Sequence, residues 1–390
     1  MGSNLSDKFF INTTMVLWLI FIAVVCLIVS QQGISHTVTP NYFNGANLWM
    51  HGKNLYDGSG RGFIYLPQAA VLFMPLAYLA QFSFTLAEIA WRLVSLLLLV
   101  FAIWRLVNLV EQKFIGRTFF IATVVTLPLA FSSARNGQFN TILEVMMLFA
   151  VYAIAKERWS QAVFYLALGV ALKPTMIVLL LLLWVLYRPL WWRLPLGLLT
   201  AFIFPFFTQV PHYVSTQYQS SIHMLQIAAT VGSQHTDWAQ FFGLLAQLKL
   251  ILPQIFQDAI RAVVAALVLY FGMLAKQRFN KDTAAIFLYA LAVGYLMLFN
   301  PRTEGNDYGM LAPAIGVFIS LLLAGNYKKQ MWLLIFIIGG LIVSGYFTFI
   351  MGNGDYEYWS APLFTLISMV IVIKQIFVPQ LLRSKNKRIL

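Results

Sequence analysis

Three cations stand at places where a strongly apolar chain rarely carries them: Arg135 in RNGQFN (135–140), Lys173 in ALKPT (171–175) and Arg302 in NPRTEGNDYG (300–309). Each falls at the boundary of an apolar run, beside residues that end or start a helix. Pro174 directly after Lys173 is the most telling case. Proline in the first helical position leaves amide donors unpaired at the helix start, and a lysine there adds a full charge to the partial positive pole. A phosphate or phosphodiester is the natural ligand for that combination, so Arg135, Lys173 and Arg302 are candidate phosphate-holding residues. The other reading of the same residues is long cations snorkelling to lipid phosphates without specificity.

Groups able to take a proton lie near these cations in the sequence. Glu304 and Asp307 share a ten-residue loop with Arg302, Asp57 lies in a long segment over 31–83, and His235 and Asp237 form a His-x-Asp pair. A positioned carboxylate or imidazole of this kind serves as a general base. Asn136, Gln138 and Asn140 add hydrogen-bonding groups beside Arg135. Glu144, one turn below Asn140, has no opposite charge at helical spacing, so it is expected to face a wet cavity or a cation from another helix. Glu88 and Arg92, also one turn apart, read as a structural pair. No HExxH, DxD or helically paired His occurs, and Cys26 is the single cysteine. No metal site, cofactor or internal disulfide is therefore expected.

The elements that must position these residues are membrane helices. The chain has 390 residues, is 60% hydrophobic and 10% charged, and has a mean hydropathy of +0.78. No soluble core absorbs that much apolar surface, and the expected fold is an all-α polytopic membrane protein forming one integral-membrane domain over 1–390. A net charge of +13 would suggest nucleic acid in a soluble protein. Here the cations fall in alternate loops, so no nucleic-acid partner is expected. Apolar runs near 10–30, 84–104, 118–133, 140–155, 160–172, 175–188, 194–208, 258–275, 283–299, 309–325, 331–350 and 360–380 predict about twelve crossings.

Lys156, Arg158, Arg188, Arg193, Lys276, Arg278, Lys281, Lys328, Lys329 and the basic tail at 381–390 then share one side with both termini. The positive-inside rule makes that side cytoplasmic, with 10–30 an uncleaved first helix. Arg135, Lys173 and Arg302 fall on the outer side. Two outer segments, the first and the fourth, are too long for simple turns. The first, 31–83, contains PQAAVLFMPLAYL, too short and Pro-broken to span, which predicts an interfacial or re-entrant helix. The other, 209–257, contains WAQFFGLLAQLKLIL, which predicts an amphipathic interfacial helix.

The ordered set NYFNGANLWMHGKNLYD, FIYLP with a following MPL, RNGQFN and ALKPT, over about residues 10–325, resembles glycosyltransferase family 87. These are bacterial membrane mannosyltransferases of the GT-C type that use polyprenyl-phosphate mannose. The resemblance implies a GT-C-like fold of about a dozen helices with a large first outer loop. It also implies a lipid-linked sugar phosphate as donor, a lipid or glycan acceptor, and action on the outer face of the bacterial inner membrane. It places Asn136, Gly137, Gln138, Asn140, Lys173 and Pro174 by the donor; Glu144, His235 and Asp237, from their own placement in the sequence, are further candidates for the donor and its sugar.

One departure stands out. Such enzymes carry a catalytic Asp early in the first outer loop, where this chain has Thr39, Pro40 and Asn41. The expected base is then Asp57 by loop position, or Asp307 or Glu304 by surroundings. The expected activity is metal-independent, inverting sugar transfer. Two other roles use the same cations: a transporter or flippase of a lipid-linked sugar, and a non-catalytic protein that binds the donor.

Overall fold

The computed structural model describes residues 2–33, 36–56, 62–110, 112–234, 238–351 and 355–377. Among these residues the chain is helical throughout, with no strand. The α-helices are α1 (Gly2–Gln32), α2 (Thr39–Met50), α3 (Pro67–Phe82), α4 (Phe84–Val107), α5 (Ile115–Asn136), α6 (Asn140–Ala155), α7 (Trp159–Leu172) and α8 (Ile177–Leu186). They continue with α9 (Leu190–Ile203), α10 (Pro211–Gln234), α11 (Phe241–Gln247), α12 (Gln254–Arg278), α13 (Lys281–Phe299), α14 (Ala312–Ala324), α15 (Lys328–Met351) and α16 (Asp355–Phe377).

Every apolar run expected to cross the membrane is a helix, but the helices are not alike. Among the described residues, 9 helices are long and apolar enough to cross: α1, α4, α5, α12, α13, α15, α16, α9 with the turn after it, and α14 with the turn before it. The other three, α6, α7 and the Pro174–Leu186 run, are shorter apolar helices of 10–17 residues. At 1.5 Å per residue a helix of that length falls short of a hydrocarbon core of about 30 Å. Burial explains how they are held. Nearly every side chain of α6 and α13 is buried, so these two form the middle of the bundle. By contrast α12 exposes Ile255, Phe256, Val263 and Leu267, an apolar surface suited to lipid.

The two ends of the bundle differ as the charge pattern requires. At one end Lys156 pairs with Asp282 (2.8 Å) and Lys281 with Glu157 (2.7 Å), joining the α6–α7 turn to the start of α13. At the same end Arg278 donates to the Ile376 carbonyl (2.9 Å). The junctions α5–α6, α7–α8 and α13–α14 meet at the other end, and the candidate residues sit there.

The long outer segments differ from expectation in detail. In the first, PQAAVLFMPLAYL is helical as α3, with Pro75 inside it, but α2 precedes it and was not anticipated from its Asn and Gly content. Pro40 fits the first turn of α2, and Tyr42, Phe43, Ala46 and Trp49 fall on one buried face. In the second, the expected amphipathic helix over 238–252 is a correction: only Phe241–Gln247 is helical. The dominant element is instead the 24-residue α10. Its Tyr213, Gln217 and Ser221 recur every four residues, and the first two bond the 53–56 segment: Tyr213 Oη donates to the Lys53 carbonyl (2.6 Å), and Gln217 Oε1 accepts from Leu55 N (2.9 Å). The basic tail at 381–390 lies outside the described residues.

Candidate functional site

The site begins with a turn. α5 ends at Gly137, whose φ of 68° is left-handed, and the Gln138 amide reaches back to the Ser133 carbonyl (3.1 Å). This is the helix stop that a glycine after Asn allows without steric cost. Three side chains of α4 fasten the turn. Arg92 Nη2 donates to the Arg135 carbonyl (2.8 Å), Trp91 Nε1 to the Gly137 carbonyl (2.9 Å), and Glu88 pairs with Arg92 at 2.8 Å. Thr37 Oγ1 donates to Glu88 and accepts from Arg92, both at 3.0 Å, which ties the first outer segment into the same knot. Glu88 and Arg92 are thus a structural pair, and their product is the placement of Gln138, Phe139 and Asn140.

Those residues face a cavity of about 410 Å³ at the junction end of the bundle. Its lining includes Asn41, Tyr42 and Tyr65 from the first outer segment, Gln138 and Asn140 from the α5–α6 junction, and Lys173 and Thr175 from the α7–α8 junction. Arg302, Glu304 and Asp307 come from the α13–α14 junction, and Leu225 from α10. Six residues that are far apart in sequence and were singled out for chemistry therefore share one space: Gln138, Asn140, Lys173, Arg302, Glu304 and Asp307.

A hydrogen-bond network orders them. Lys173 Nζ donates to Asn140 Oδ1 and lies 3.4 Å from Asp307 Oδ1. Asn140 Nδ2 donates to Gln138 Oε1 (2.7 Å) and to Asn306 Oδ1 (3.0 Å). Glu304 Oε2 accepts from Gln138 Nε2 (3.3 Å) and Asn306 Nδ2 (3.0 Å). Glu304 and Asp307 also form a capping box around the 3-10 turn Gly305–Leu311, in which the Glu304 amide donates to Asp307 Oδ2 at 2.8 Å.

The two carboxylates consequently have different tasks. Asp307 is buried, with one oxygen on Lys173 and the other on a backbone amide. Glu304 is exposed to the cavity, and its hydrogen bonds come from neutral amides. Lys173 itself is a secure cation. Burial works against its charge, but its acidic neighbours, Asp307 foremost and Glu304 with it, outweigh that and hold its pKa above the usual lysine value. Burial pushes the Tyr65 hydroxyl above its ordinary range, against the pull of Lys173, so it stays protonated. It sits 3.3 Å from the Tyr42 hydroxyl. Arg302 lies over the Trp238 ring, 5.2 Å from its centre.

The other expected site residues that the structure describes do not line this space. Arg135 and Asn136 do not line the cavity; Arg135 Nε donates to Asn136 Oδ1 (3.2 Å), and the backbone of both serves the turn. Glu144 is 2% exposed, does not line this cavity and makes no salt bridge among the described residues, where a wet cavity or a cation was expected. Its Oε1 has no hydrogen-bond partner among them. Asp57, His235 and Asp237 lie outside the described residues. Asn306, which bridges Asn140 and Glu304, escaped notice although it stands between two noticed acids. Thr175 Oγ1, at the cavity wall, is buried without a hydrogen-bond partner among the described residues.

A family model for glycosyltransferase family 87 matches residues 63–301, more than half of the chain. The matched span holds Gln138, Asn140 and Lys173, starts after Thr39, Pro40 and Asn41, and stops just before Arg302, Glu304 and Asp307. No curated protein sequence matches the chain.

Proposed function

The chain belongs to glycosyltransferase family 87, and from that premise we propose that it transfers a sugar, mannose foremost, from a polyprenyl-phosphate donor to a lipid or glycan hydroxyl. The observation that carries this is the cavity that unites Lys173 and Arg302 with the open carboxylate of Glu304. Lys173 and Arg302 hold the donor phosphate. Asp307 fixes Lys173, and Thr175 adds a hydroxyl with no partner among the described residues. Gln138, Asn140 and Tyr65 bear on the sugar.

In the transfer, the acceptor oxygen attacks the anomeric carbon and passes its proton to Glu304. The bond from that carbon to the phosphate oxygen breaks, its electron pair leaves on the phosphate, and the anomeric configuration inverts. Negative charge grows on the leaving phosphate as the bond breaks, so the cations act where the transition state needs them. The base role falls on Glu304 because Asp307 is already committed to Lys173 and because Asn41, at the cavity wall, offers an amide. We assign the cavity to the outer face of the bacterial inner membrane. The cation-rich turns at the other end of the bundle favour that orientation.

A second reading follows from Asn41 itself: a chain whose first outer segment presents no acid at that position binds the donor without turning it over. One experiment separates the two. Purified protein in lipid nanodiscs is incubated with radiolabelled polyprenyl-phosphate mannose and a membrane-lipid extract. A new labelled glycolipid supports transfer; donor binding with no product supports the second reading. Movement of intact donor across a vesicle bilayer would mark a flippase and sink both.

A further inference from the structure

A second cavity of about 370 Å³ lies between α10 and the first outer segment, lined by Asn54, Tyr56, Gln219, Ser220, His223 and Met224. Its construction follows from the polar stripe of α10. Tyr213 and Gln217 bond the backbone at Lys53 and Leu55, and Ser221 contacts the Tyr56 side chain. Docking that stripe fixes the turn of the helix about its axis. The neighbouring face, with Gln219, Ser220 and His223, is then held over Asn54 and Tyr56.

We propose that this second cavity seats the carbohydrate portion of the acceptor, a neutral sugar; the proposal rests on the transferase reading above. Two observations carry it. The first is the chemistry of the lining. Amide, hydroxyl, phenol and imidazole groups are present, and among the described residues no Lys, Arg, Asp or Glu lines it. Groups that both donate and accept suit a ring of hydroxyls. Among the described lining residues an anionic headgroup would find no cation to offset its desolvation, in contrast to the first cavity with Lys173 and Arg302.

The second observation is adjacency. The Tyr56 hydroxyl donates to the Tyr65 carbonyl at 2.7 Å, and Tyr65 lines the first cavity. Consecutive residues of α10 serve the two spaces, Met224 the second and Leu225 the first. The cavities therefore share a wall made of Tyr56, Tyr65 and one turn of α10. A saccharide seated on the outer side of that wall is placed to offer a hydroxyl to the site on the inner side.

The test uses the full chain in nanodiscs and octyl α-mannopyranoside carrying a photoreactive diazirine, below its micellar concentration. Cross-linked peptides are mapped by mass spectrometry. The expected result is labelling of the 219–224 stretch, competed by unlabelled octyl α-mannopyranoside or octyl β-glucopyranoside and not by octyl sulfate. Ser220→Trp, which fills the cavity from a half-exposed position, should lower that labelling at least about tenfold. It should leave thermal unfolding and donor binding unchanged, and His223→Leu should lower labelling in the same sense. Labelling that falls elsewhere, that octyl sulfate competes equally, or that Ser220→Trp leaves intact overturns the proposal. Sugar transfer to octyl α-mannopyranoside without labelling of this stretch also overturns it. Labelling as expected without any transfer supports the cavity assignment and counts against the transferase reading alone.

Discussion

Lys173 Nζ lies 3.4 Å from Asp307 Oδ1, across 134 residues of sequence, so one ion pair joins the α7–α8 junction to the α13–α14 junction. The same Asp307 holds the Glu304 amide with its other oxygen (2.8 Å). A single carboxylate thus sets both the cation and the backbone of the neighbouring carboxylate. The division of labour in the cavity follows: Asp307 positions, Lys173 holds charge, and Glu304 remains open.

Removing the charge of Asp307 leaves Lys173 half-sheltered without its partner. Breaking a fully buried pair costs roughly 3–5 kcal/mol, and the partial exposure of Lys173 lowers the expected cost of Asp307→Asn to about 2 kcal/mol. Thermal unfolding in a single detergent should show a lower Tm for Asp307→Asn. Adding Lys173→Gln should recover part of the loss, because the two residues are coupled. Equal, additive losses would show that the pair does not act as one.

Glu304→Gln keeps the shape and one acceptor oxygen for the surrounding amides but removes the base. A general base is worth about 10²–10⁴-fold in rate, so kcat should fall by that order while donor KM changes little. Asp307→Asn should instead raise donor KM, because it loosens Lys173. Steady-state transfer to a labelled acceptor checks both. Unchanged kcat in Glu304→Gln removes Glu304 from the mechanism.

Gly137→Ala tests the turn that places Gln138 and Asn140. The residue has φ 68°, and an added Cβ would lie 2.4 Å from Arg92 Nη1. The left-handed backbone alone costs roughly 1–2 kcal/mol for a residue with a Cβ, and displacing a buried guanidinium adds to it. A lower Tm together with weaker donor binding is expected. A wild-type Tm would show that the turn relaxes freely.

The raised pKa of Lys173 gives a pH signature. A cation whose folded pKa lies above its unfolded value contributes stability in full below the unfolded value and loses it only as pH rises through the folded one. For Lys173 that window lies above the ordinary lysine value of 10.5. Donor binding should therefore show no loss attributable to Lys173 between about pH 6 and 9. A titration of binding in that range that disappears in Lys173→Arg would contradict the assignment.

Much of this arrangement was legible from charge placement. Alternating loops put Lys173, Asn140, Arg302, Glu304 and Asp307 at one end of a bundle, and they do converge there. What alternation cannot give is the direction of each side chain around its helix. Arg135 shares the end but not the cavity, because the Gly137 turn carries the chain past it and only Gln138 and Asn140 reach the lining. Glu144 meets no cation among the described residues for the same reason: its helix is buried on nearly every side, and sequence spacing says nothing of the helices that surround it. α10 was missed because its ordering signal is a stripe of polar residues every four positions, which bonds backbone rather than apolar surface. Tyr42 and Tyr65 line the cavity because α2 and α3 pack under the turn, with Tyr42 and Tyr65 both against Phe139.

The central claim, that Lys173 holds the phosphate of a lipid-linked sugar in this cavity, is tested most directly by equilibrium binding of polyprenyl-phosphate mannose to the protein in nanodiscs. Wild-type protein should bind it saturably, and Lys173→Gln should weaken binding by at least about tenfold, the equivalent of roughly 1.4 kcal/mol. Arg302→Gln should weaken it in the same sense, and Arg135→Gln should leave it near the wild-type value. Binding by Lys173→Gln equal to that of the wild type would contradict the account.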